Sequence, residues 1–175
     1  KEKWTIDEAR KWMENHKIKA IEIEPAIEQE IKIFPVGEHI INNKLRKFDD
    51  KFFQKIIESF NSDSLSKPYI DKNHEMKESF GDIVDLTQKE DGLYAKIKLN
   101  AKGIELIKNN EYKYISPCYG PRTDTEGKEY EYTLITVSLT NNPALEGTLP
   151  QLQEQIQLEG ERNMEKKELL EKILA

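Results

Sequence analysis

Hydrophobic residues recur along the chain at two different periods, and the changes of period mark its elements. Ile6, Ala9, Trp12, Met13 and His16 fall at helical spacing behind Thr5-Ile6-Asp7-Glu8, a Thr cap with Glu three residues later. This predicts a short amphipathic helix over residues 1–17. Ile18 to Glu24 intersperses apolar and charged positions as a strand does, and Pro25 ends it. Glu30 to Val36 is a second strand candidate, followed by a turn from Gly37 to Asn43. Phe52, Phe53, Ile56, Ile57 and Phe60 then share one helical face, with Asp49 or Asp50 as the cap and Asn61 near the end. Asn61 to Lys67 reads as a polar loop.

The next stretch is β-rich. Pro68 to His74 is short and extended. Phe80 to Thr87 and Leu93 to Leu99 are joined through Asp91-Gly92, a strong hairpin signal. Asn100 can cap a short helix from Ala101 to Asn110. Tyr112 to Tyr119 is a strand, Gly120 to Lys128 a loop, and Glu129 to Leu139 a long strand stopped by Asn141-Asn142-Pro143. Beyond about Gly147 the aromatics disappear, and only Leu169, Leu170 and Ile173 recur at helical spacing. Residues 148–175 therefore read as a linker and a helix that add little to the core. Locally joined strands with a few helices predict an α+β body over residues 18–147, an antiparallel sheet or barrel with helices outside.

Composition narrows the function classes. At 175 residues, 37% hydrophobic and 34% charged, the chain reads as a soluble protein able to bury a core without disulfide or metal. Its formal charge of -6 argues against nucleic-acid backbone binding, which needs a basic face. Cys118 is the single cysteine, so no intramolecular disulfide can form and a reducing compartment fits. No apolar run approaches the roughly 20 residues that span a bilayer, and Lys1 to Thr5 shows no signal-peptide pattern. No phosphate-binding glycine loop or dinucleotide fingerprint is present, so no cofactor is expected.

Hydrolytic chemistry needs a nucleophile and a base that meet in space. The bases to choose from are His16, His39 and His74. His74 follows the extended run Pro68-Tyr69-Ile70-Asp71-Lys72-Asn73; taken alone, it reads as a surface histidine at a strand end. Ser116 lies in Tyr112-Lys113-Tyr114-Ile115-Ser116-Pro117-Cys118, where Pro117 marks an edge or a break that can expose a hydroxyl at the sheet's rim. Its plain reading is a structural serine at a strand edge. Cys118, two residues on, is a rival nucleophile or a small core residue. Asp71 and His74 could begin a metal site, but no His or Cys cluster completes it.

The order of several segments adds what local chemistry lacks. Ile33-Phe34-Pro35-Val36-Gly37 is followed by Ile70-Asp71-Lys72-Asn73-His74 and Phe80-Gly81-Asp82-Ile83-Val84-Asp85-Leu86. Asp91-Gly92-Leu93-Tyr94-Ala95-Lys96-Ile97, Glu111 to Pro117 and Ser138-Leu139-Thr140-Asn141-Asn142-Pro143-Ala144-Leu145 complete the series. Over about Ile33 to Pro150 this resembles the Mu-like prophage I proteins, head-maturation serine proteases related to other phage prohead proteases and to herpesvirus assemblin.

The resemblance implies an assemblin-like, mostly antiparallel β-barrel-like core with flanking helices. It implies a serine endopeptidase that cleaves itself and the scaffold and major capsid precursors inside the immature prohead, in the host cytoplasm. Self-association is expected, with no nucleic-acid or membrane partner. By position the nucleophile falls on Ser116 and the base on His74, on neighbouring strands. The third member stays open: the family's position falls on Thr136, which carries no charge, and Asp71 is the alternative acid. Asp71 could orient His74 only if its strand breaks, because residues three apart on a strand point to opposite faces. Backbone N–H groups around Gly120 and Arg122 are candidates for the oxyanion. The alternative is a non-catalytic scaffold or assembly protein that keeps the fold. Met164 to Leu170 resembles the opening of a scaffold segment, and Ala175 is expected to be a self-cleavage end.

Overall fold

A computed structural model of the protein describes residues 28–156. The helix expected over residues 1–17, the strand from Ile18 to Glu24 and the helix from Met164 onward lie outside the described residues.

Eleven elements follow in chain order: β1 (Glu28–Pro35), β2 (Gly37–Ile41), β3 (Lys44–Phe48), α1 (Asp50–Asn61), β4 (Tyr69–Lys72), β5 (Gly81–Lys89), β6 (Gly92–Leu99), α2 (Ala101–Lys108), β7 (Tyr114–Thr123), β8 (Glu129–Thr140) and α3 (Leu152–Gln155). Six strands form one sheet in the order β1-β6-β5-β4-β8-β7, and β2 with β3 forms a separate hairpin. Within the large sheet only β4 and β8 run parallel; the other neighbours are antiparallel. The class is α+β, as expected. The sheet curls far enough for its two edge strands to meet: the ring of Phe34 on β1 stands 5.5 Å from that of Tyr119 on β7.

The helix α1 closes the curl. Asp49 caps it by accepting the Phe52 N–H at 3.0 Å, and its predicted apolar stripe turns inward with Phe52, Phe53, Ile56 and Phe60 buried. Each such side chain contributes on the order of 1.5–3 kcal/mol when fully buried. Phe34, Phe48, Phe52 and Tyr119 meet edge to face or tilted at this end of the sheet.

Three boundaries differ from the sequence expectation. Gly37 to Asn43 is not a simple turn. It is most of a hairpin whose corner, Asn42-Asn43, lies in the left-handed region at φ 51° and 60°. Such paired left-handed residues match the twist of a two-residue hairpin, and Asn tolerates them. Gly120 to Lys128 is not all loop either. Gly120 pairs with Thr133 and Arg122 with Tyr130, so β7 runs on to Thr123. At the C-terminal end, the segment after residue 148 joins the body. Leu152 and Ile156 are buried in the core, and Leu152 donates its N–H to the Lys113 carbonyl at 2.8 Å. Sparse aromatics hid these two anchors. Among the described residues no helix is long and apolar enough to cross a membrane.

Candidate active site

The register of three strands sets a row of polar side chains. Asp71 on β4 lies beside Ser138 on β8, and Ser138 lies opposite Ser116 on β7. Residues directly across a ladder project to one face of the sheet. Asp71, Ser138 and Ser116 therefore stand side by side on the same face. All three are buried: 1%, 0% and 1% exposed. Buried polar groups of this kind demand hydrogen-bond partners.

His74 reaches this row because β4 ends at Lys72. Asn73 and His74 both take left-handed conformations, at φ 49° and 57°, and the chain folds back on itself. The Asn73 N–H still bonds the Leu139 carbonyl of β8 at 3.0 Å. Asp71 Oδ2 accepts the Met76 N–H at 3.0 Å, closing the turn from within. Left-handed backbone at a non-glycine residue is uncommon and costs free energy, so it persists only where surrounding contacts hold it. The strand break that would let Asp71 act on His74 is thus present.

The hydrogen bonds run in a line. Ser138 donates its hydroxyl to Asp71 Oδ1, and His74 Nδ1 lies 2.9 Å from Ser138 Oγ. A serine hydroxyl carries one proton and two lone pairs. With its proton given to Asp71, Ser138 can only accept from the imidazole. His74 then carries its proton on Nδ1, and Nε2 is left as the basic nitrogen.

His74 and Ser116 line the same cleft. Its apolar wall includes Phe34, Ile41, Tyr119, Tyr132 and Leu145, with Arg46 among the lining residues. The segment after β8 forms another wall through Asn142, Pro143 and Ala144. The Ala144 N–H donates to Ser116 Oγ at 3.5 Å, a long contact. Ser138, fully buried on a strand with neighbours on both sides, does not line the cleft.

The sequence candidates separate clearly. Ser116 and His74 open onto one cleft, but not from neighbouring strands: β8 lies between β4 and β7. Thr136 does not meet His74. It is fully buried between Tyr69 and Cys118, and among the described residues its Oγ1 has no hydrogen-bond partner. Asp71 meets His74 through Ser138. Gly120 and Arg122 are held in the β7–β8 ladder, and the backbone donor at Ser116 is Ala144 instead. Cys118 lines the cleft, but burial, and then the Asp71 carboxylate, push its thiol up from the usual range, against a smaller opposite pull from Arg122. A raised thiol is a poor source of thiolate. His39 lies on the hairpin, its Nε2 3.3 Å from the Val36 carbonyl and its ring stacked on Phe48. Ser138 is the residue that sequence reasoning missed. Its signal was the alternation of hydroxyls at Thr136, Ser138 and Thr140 in a strand buried on both faces. Among the described residues no three His, Cys, Asp or Glu side chains converge as a metal site would require.

Comparison with known proteins gives no match among curated proteins and none among solved structures. A family model does match, over residues 31–153, which runs from within β1 to within α3 and takes in every residue of the row and the turn. Its description is the N-terminal domain of the Mu-like prophage I protein. The chain belongs to that phage protein family, and the Asp71–Ser138–His74 line and the Ser116 cleft lie inside its family domain.

Proposed function

We propose that this domain is a serine endopeptidase of phage head maturation, with Ser116 as nucleophile and His74 as general base. The observation that carries the reading is the shared cleft: Ser116 and His74, the latter held at Nδ1 by Ser138, line one apolar-walled groove. In the reaction His74 Nε2 takes the Ser116 proton as Oγ attacks the peptide carbonyl, then returns it to the leaving amine. The Ala144 N–H lies beside Ser116 Oγ and can turn from it to the substrate's carbonyl oxygen, where the oxyanion develops as Oγ attacks. Membership of a prophage protein family supports substrates drawn from capsid assembly: scaffold and major capsid precursors, and the chain itself.

A second reading is an assembly protein that keeps the fold without catalysis. The near-complete burial of Ser116 favours it, because substrate must displace part of the Ala144 wall to reach the hydroxyl. One experiment separates the two. A precursor extended beyond residue 175 is expressed with Ser116 and with Ser116→Ala. The protease reading expects processing in the first and none in the second; an intact precursor in both supports the assembly reading.

A further inference from the structure

The geometry points to Ser138 as a positioning residue that transmits the buried Asp71 carboxylate to His74, in place of a direct acid–imidazole contact. This rests on the proposed role of His74 as the base. Asp71 accepts from Ser138 with Oδ1 and from the Met76 N–H with Oδ2, so both its oxygens are engaged as acceptors. Ser138 must then accept from His74 Nδ1, 2.9 Å away. The hydroxyl does what neither neighbour does alone: it fixes the ring's tautomer and leaves Nε2 as the nitrogen able to accept a proton.

Topology explains why an intermediate is used. β8 is inserted between β4 and β7, so a residue of β8 lies midway in the row. Asp71 also holds the 71–76 turn through Met76, which binds the position of the ring to the position of the acid. When Ser116 gives its proton to Nε2, the imidazole becomes a cation. Its Nδ1–H stays donated to Ser138, and the Ser138 proton stays donated to Asp71. No proton passes beyond the ring. The carboxylate's charge acts on the imidazolium through a polarised hydroxyl.

The rival use of the same contact is Ser138 as nucleophile, since a serine 2.9 Å from an imidazole satisfies the usual distance. Its place and the direction of its own proton decide against it: Ser138, unlike Ser116, does not line the cleft, and it donates to Asp71.

The test is the tautomer of His74 in the full chain, read by long-range nitrogen–proton correlation on histidine-labelled protein, with His74→Gln to assign the signal. The wild type should show the proton on Nδ1 when the ring is neutral. Ser138→Ala should move it to Nε2, and Ser138→Thr, which keeps the hydroxyl, should restore Nδ1. In peptide hydrolysis Ser138→Ala should lower kcat by up to about 10⁴-fold, the cost of a base left in the wrong tautomer, with little change in KM, and Ser138→Thr should recover most of it. A wild-type ring protonated on Nε2 overturns the inference without any variant, as does a tautomer that Ser138→Ala leaves unchanged. Absence of hydrolysis in the wild type counts against the protease reading instead, and the tautomer measurement stands apart from it.

Discussion

Ser116 and Ser138 stand directly opposite one another on β7 and β8, and their hydroxyls are engaged in different ways. Ser138 gives its proton to Asp71 and meets His74 Nδ1, while Ser116 has, among the described residues, the long contact from the Ala144 N–H. One serine is a fixed part of the scaffold behind the ring. The other lines the cleft.

His74 and His39 should respond differently to truncation. His74→Ala should cost about 10²–10⁴-fold in turnover, the usual worth of a general base. His39→Ala should leave turnover near wild type and cost stability alone, about 0.5–1.5 kcal/mol for its stacking on Phe48. Steady-state kinetics beside urea unfolding separates the two effects. Comparable loss of turnover in both variants would remove the distinction.

Cys118 should be a slow thiol. Burial first, and the Asp71 carboxylate second, hold it protonated above the usual range. Iodoacetamide at neutral pH should alkylate it more slowly than free cysteine, and Cys118→Ala should keep peptidase activity. Rapid alkylation accompanied by loss of activity would return Cys118 to candidacy as nucleophile.

The cap of α1 should matter less in acid. The Phe52 N–H, and secondarily Lys47, lower the Asp49 carboxyl from its ordinary 3.8. A group lowered in the folded state stabilises above its unfolded value and loses that contribution as pH falls through its folded value. Asp49→Ala should therefore lower Tm near neutrality, and the gap to wild type should close below pH 3.8. A Tm gap that stays constant into strong acid would mean that the carboxylate's charge plays no part.

Gly103 in α2 offers a test of sign. Replacing a helical glycine by alanine normally gains about 1 kcal/mol. Here a Cβ would stand 2.2 Å from the Phe80 carbonyl oxygen, a backbone atom. Gly103→Ala should instead destabilise by about 1–3 kcal/mol through overpacking, seen as a lower urea midpoint at unchanged slope. A raised midpoint would show that strand and helix separate easily.

Elements with one strong local signal were legible in the sequence. The Asp49 cap, the phenylalanine stripe of α1, the Asp91-Gly92 hairpin and the Asn100 cap all stand where periodicity and capping put them. What was hidden depends on pairing. That β8 would enter between β4 and β7 follows from no local pattern, so Ser138 could not be set beside Asp71. The Asn42-Asn43 corner was readable as a hairpin signal, but Ile40 and Leu45 face solvent, which blurred the alternation on either side. Leu152 and Ile156 pack through long-range contacts that a Gln- and Glu-rich segment does not announce.

A nucleophilic Ser116 activated by His74 is open to covalent labelling. The full chain is treated with a fluorophosphonate, digested, and the modified residue located by mass spectrometry, in wild type, His74→Ala and Ser116→Ala. One phosphonylated residue is expected, Ser116, with labelling strongly slowed in His74→Ala and absent in Ser116→Ala. A label on Ser138 or elsewhere, or a wild-type chain that takes no label while an active serine protease beside it does, would exclude Ser116 as the nucleophile.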